Sequence, residues 1–142
     1  MTILASENGS IIGIINPAER VGTTTNGSAI DLGKFHQAMF ILLVGSTDAT
    51  VDFKLQESAS TSSGFTDISG KAVTTFTATD DNKQAIINLD SSEMGSSKRY
   101  VRGVITAGSG TACVVGMVAL GFSPRFRPAT DDDLASVAQV VS

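Results

Sequence analysis

Between residues 28 and 122 the chain passes again and again from a short strand-forming run to a cluster of turn formers. That rhythm confines it to an all-β fold. The runs are residues 28–32, 38–44, 50–57, 65–68, 72–77, 84–89, 99–106 and 112–122, and Gly, Ser, Asn and Asp fill the gaps. The clearest period of two lies in residues 50–57: Val51, Phe53 and Leu55 point one way, Asp52, Lys54 and Gln56 the other. Such a strand belongs to a sheet with one face on a core and one in water. About eight strands with short polar connections predict a sandwich of two antiparallel sheets. The count suits a jelly roll, and an immunoglobulin-like sandwich fits it as well.

Composition supports this reading. Only 17% of the 142 residues are charged, while Ser, Thr and Gly number 17, 15 and 14. Thr suits a pleated, half-buried surface, and Gly and Ser suit tight turns. The 42% of hydrophobic residues is enough for one core, and dividing 142 residues between two domains would leave each short of one. Three segments are expected: an extended N-terminal arm at 1–27, a β-sandwich at 28–122 and a C-terminal tail at 123–142.

The arm contains the apolar stretch Ile11, Ile12, Ile14 and Ile15, ended by Pro17, with Asn8-Gly9 and Asn26-Gly27 as turn signals. Left exposed, such a stretch invites aggregation, so it is expected to lie on something. It is too short to cross a bilayer, and no cationic start precedes it, so the chain is expected to fold in the cytoplasm of the cell that makes it. In the tail, Pro124 and Pro128 flank Arg125, Phe126 and Arg127. Asp131, Asp132 and Asp133 then precede Leu134, Val137, Val140 and Val141, the pattern of a short helix whose N-terminus carries acids.

Two runs break the half-wet pattern. In residues 38–44, Ala38, Phe40, Leu42 and Val44 share one face, yet Met39, Ile41 and Leu43 on the other are also apolar. In residues 112–120 the same holds for Val114, Val118 and Leu120 against Cys113, Val115 and Met117. A two-layer sandwich has one core, so the second apolar face needs another cover. Either the chain's own arm or tail folds over it, or another subunit does. The self-association candidates are Met39, Ile41, Cys113, Val115 and Met117.

The inventory for catalysis is thin. His36 is the one histidine and Cys113 the one cysteine, too few for a structural zinc site and no basis for a disulfide framework. The carboxylate-rich turns at Asp80-Asp81-Asn82 and Asp131-Asp132-Asp133 lack EF-hand spacing, and read as a hairpin turn and a helix cap. No phosphate-binding glycine loop is present. A net charge of −4 argues against nucleic acid as a partner. Lys98, Arg99 and Arg102 around Tyr100 suit a surface that meets acids on a partner subunit. No catalytic residue, cofactor, metal or membrane contact is expected. The rival to an assembly role is a carbohydrate-binding or adhesin-like module, weakened by the absence of Trp and the presence of a single Tyr.

VDFKLQESASTSSGFTDISG at residues 51–70, KRYVRG at 98–103 and the closing apolar strand together resemble the small cement, or head-decoration, proteins of tailed bacteriophages. The resemblance spans roughly residues 38–122. It implies a sandwich or jelly-roll subunit, often a homotrimer, on the outside of the capsid, where it bridges major capsid proteins and stabilises the shell. Terminal arms commonly make the contacts in such proteins. The capsid-contact candidates here are therefore Ile11, Ile12, Ile14 and Ile15 with Arg125, Phe126 and Arg127.

Overall fold

A computed structural model describes residues 4–127, 129 and 133–141. Among these residues a single helical turn, α1 (Ala5–Asn8), is followed by nine strands. They are β1 (Gly9–Arg20), β2 (Thr24–Asn26), β3 (Ile30–Asp31), β4 (Phe35–Thr47), β5 (Val51–Ser58), β6 (Thr66–Ala72), β7 (Gln84–Asp90), β8 (Tyr100–Ala107) and β9 (Cys113–Pro124). One sheet has the order β1-β9-β4-β7; the other has β2-β8-β5-β6, with the two-residue β3 also paired to β8. Every pairing is antiparallel.

The order follows from one long hairpin rolled on itself. β1 pairs with β9, β2 with β8, β4 with β7 and β5 with β6, so the chain's two halves run alongside each other from ends to tip. Rolling then brings β9 against β4 and β8 against β5. This is a jelly roll.

Alternation in β5 behaves as its sequence dictates: Val51, Phe53 and Leu55 are buried and Asp52 is exposed. The core between the sheets holds Phe35, Phe40, Leu42, Phe53, Leu55, Leu89, Val101 and Ile105. Bulk on some strands requires its absence on others. Gly121 of β9 lies under Phe35, where an added Cβ would stand 2.7 Å from the ring. Gly103 of β8 faces Met117 and Phe53.

Two expectations about the ends change. Residues 9–20, read as part of an arm, form the longest stretch of the β1–β9 pair, with Ile12 and Ile15 8% and 4% exposed. Burial of these two side chains in the common core is what holds the segment in the sandwich. At the other end, the expected helix amounts to one 3-10 turn, Leu134–Ser136. Val140 and Val141 stay exposed, so this end of the apolar stripe has no docking surface to support a longer helix. Asp131 and Asp132 lie outside the described residues.

β1 is an edge strand, and its edge is irregular. Register breaks fall between Ile11 and Gly13 and between Ile15 and Ala18, the second around Pro17. The Arg20 guanidinium fastens that bulge, donating to the carbonyls of Asn16 (3.0 Å), Ala18 (3.1 Å) and Val115 (3.0 Å), and to Thr25 Oγ1 (3.0 Å). Further along, the Asp133 N–H donates to the Ile11 carbonyl at 2.7 Å.

Candidate interaction surface

The two outward faces of the sandwich differ in kind. On the five-stranded sheet, polar groups are tied to one another. Lys54 and Gln56 both bind Asp67 at 2.8 Å, Arg102 donates to Gln56 at 2.8 and 3.1 Å, and its guanidinium lies 4.1 Å from the Phe65 ring centre. Lys54 first, then Gln56, hold the Asp67 carboxyl below its ordinary range. This is an ordinary wet face, laced by weak surface pairs.

The outward face of the four-stranded sheet is apolar across its middle, with polar residues along its borders. Antiparallel register sets side chains in rows across the strands, because directly opposed residues share a face. One row is Ile14, Val118, Ile41 and Ile86. The next is Ile11, Leu120, Met39 and Asn88. On one side of these rows stand Leu43 and Gln84, with Val114 beyond; on the other, Phe122 opposes Gln37. Leu43, Ile86 and Val114 are 44%, 55% and 41% exposed. Charge stands at the borders: Asp90 opposes Gln37, Glu19 opposes Val114, and at the rim Lys71 bridges to Glu93 at 2.8 Å and donates to the Asn88 carbonyl.

This placement sorts the self-association candidates. Met39 and Ile41 do lie on the outward face. Cys113, Val115 and Met117 do not: they are 0%, 1% and 4% exposed and belong to the core. The assignment of β9's faces is therefore reversed, and Val114, Val118, Leu120 and Phe122 are the outward set. Hydrophobicity alone points the wrong way here, since the outward set is the bulkier. Inward space under Phe35 and Phe40 admits only Ala119 and Gly121 at that end of the strand. Ile86, in a run where Ile87 is buried, is the outward residue that sequence reading missed.

The capsid-contact candidates divide similarly. Ile11 and Ile14 are outward, whereas Ile12 and Ile15 are core and have no surface to offer. Arg125, Phe126 and Arg127 follow β9 on the surface, with Phe126 85% exposed. The Arg125 N–H is anchored to the Lys34 carbonyl at 3.0 Å, so this projecting tripeptide starts from a fixed point.

The chemistry-bearing residues are dispersed. His36 is exposed at the start of β4, and Cys113 is buried opposite Thr47 at its end. At about 3.4 Å per residue, the strand separates them by roughly 37 Å. Burial pushes the Cys113 thiol up, away from the reactive thiolate. The Asp80 carboxylate is occupied by Lys83 and Thr77, and Asp81 accepts from the Thr47 N–H at 2.7 Å. Arg99, read as a contact for a partner's acids, forks onto Asp31 of its own chain at 2.7 Å through both Nε and Nη2. Among the described residues, no three His, Cys, Asp or Glu side chains converge as metal ligands would.

Searches with protein-family models and against curated proteins find no match to this sequence. Among solved structures, a chain of Bacillus endospore appendages, described as "a novel family of disulfide-linked pili", is 13% identical. The alignment covers 87% of this chain and 96% of that one, with a TM-score of 0.46.

Proposed function

We propose that this chain is a structural subunit of a virus particle, a capsid cement or decoration protein that binds the outside of the shell and braces neighbouring capsid subunits. The observation that carries the proposal is a sheet face whose two central rows hold no charged side chain, on a sandwich whose opposite face is laced by polar pairs such as Lys54 with Asp67 and Arg102 with Gln56. Single exposed apolar side chains are normal on soluble proteins; a contiguous field of them spread over four strands marks a surface that meets another protein. The resemblance of residues 38–122 to phage cement proteins supplies the kind of assembly. Work of this kind is thermodynamic: many modest contacts, repeated over a lattice, add up through multivalency.

Contact with the shell is assigned to Arg125, Phe126 and Arg127. An exposed aromatic between two guanidiniums resembles the anchors that carry binding energy in protein interfaces. The test is co-sedimentation of the purified chain with undecorated capsids. Saturable binding that weakens at least tenfold in Phe126→Ala is expected. A chain that stays in the supernatant at every concentration overturns the proposal.

A further inference from the structure

The outward face of the four-stranded sheet carries two central rows without a charged side chain, and we infer that it binds a second copy of this chain. The inference rests on the assembly role just proposed and names the partner of one surface.

Area is the first ground. Four strands about 4.8 Å apart and about eight residues long present a flat field of roughly 500 Å². Two such fields bury about 1,000 Å², the level that a specific interface has to clear. Sheets that pack face to face do so about 10 Å apart with interdigitated side chains, and the rows Ile14-Val118-Ile41-Ile86 and Ile11-Leu120-Met39-Asn88 supply a pleated surface for that.

Self-complementarity is the second. Pairing a face with its own copy sets like against like near the two-fold axis, so charge at the centre would repel. Both central rows are free of Lys, Arg, Asp and Glu. Their polar members and neighbours, Asn88 and Gln84, are amides that donate and accept at once and so match their own kind.

The described residues of the ends leave Leu43, Ile86 and Val114 uncovered. The described tail meets β1 at the Ile11 carbonyl, on the strand's edge, and Leu43, Ile86 and Val114 remain among the most exposed large apolar residues.

Light scattering behind size-exclusion chromatography, on the full chain across a concentration series, tests this. The expected mass is twice 14.6 kDa, since a face paired with its own copy closes at two chains. Ile86→Glu and, separately, Leu43→Lys place an unpaired charge in the contact and are expected to raise the dissociation constant about 100-fold or more, with an unchanged circular dichroism spectrum. Both positions are exposed, so neither variant depends on repacking the core. Thr24→Glu, on the polar sheet, is expected to leave the mass unchanged. A wild-type monomer at tens of micromolar overturns the inference, and so does an oligomer indifferent to both substitutions. Capsid co-sedimentation separates the two claims: a monomer that still binds shells keeps the cement role and removes the self-contact, whereas an oligomer that ignores shells does the reverse.

Discussion

Gly103 of β8 and Met117 of β9 face each other across the core, one from each sheet, and a Cβ on Gly103 would collide with the Met117 sulfur. The sheets approach this closely only because position 103 has no side chain. Phe53 blocks the alternative escape, at 3.0 Å from the same point. Gly103→Ala is therefore expected to destabilise the fold by about 1–3 kcal/mol, the usual cost of overpacking. A shift in the urea midpoint without a change in slope would verify it. Pairing the change with Met117→Ala should recover part of the loss.

Arg20 holds three backbone carbonyls at the β1 bulge. Its removal leaves the partly buried Val115 carbonyl without that donor, and Arg20→Ala should cost about 1–3 kcal/mol. Arg20→Lys should recover little, because a single ammonium cannot reproduce a planar fork aimed at several acceptors. Amide exchange at Ala18 and Glu19 is expected to speed up in both variants before global stability changes.

Acid should weaken the fold in a defined window. Asp80 is pulled down to about 2, first by the Lys83 ammonium and then by the Thr77 N–H. Asp31 lies below the ordinary carboxylate range because Arg99 forks onto it, burial opposing and the Gly33 N–H assisting. Both groups bind protons more weakly folded than unfolded. Their stabilisation is thus complete above the unfolded value near 4 and disappears as pH falls towards the folded values, near 2 for Asp80. Thermal midpoints measured from pH 6 to 2 should fall below about pH 4, and the fall should be shallower in Asp80→Asn.

Neighbouring isoleucines of β1 should behave differently. Ile15→Ala removes a core side chain and is expected to cost about 2–5 kcal/mol. Ile14→Ala changes the outward row and should alter folding stability far less while weakening self-association. Chemical denaturation together with light scattering on both variants tests the pair.

These residues also mark how much could be read in advance. Val51, Phe53 and Leu55 declared their face because their neighbours are polar, and Ala38, Phe40, Leu42 and Val44 were grouped correctly for burial. β9 hid its orientation because both of its faces are apolar, and the deciding fact is a volume match with Phe35 on another strand. β1 was misjudged for a related reason. Its partner β9 lies about a hundred residues away, and Pro17 argued locally against a long strand while the structure absorbs it as a bulge. The outward field was foreseen as surplus apolar surface, yet its extent emerged only from the register that aligns four strands.

Pro17 and Arg20 have a consequence for how copies of this chain can meet. Strands with long unpaired flanks can add to one another without limit and draw subunits into threads. Here the twelve-residue flank of β1 is broken in two places, and at Pro17 it has no amide hydrogen to offer a newcomer. Copies brought to high density, as the proposed role would require, are thereby steered away from open-ended ladders and towards contacts that close.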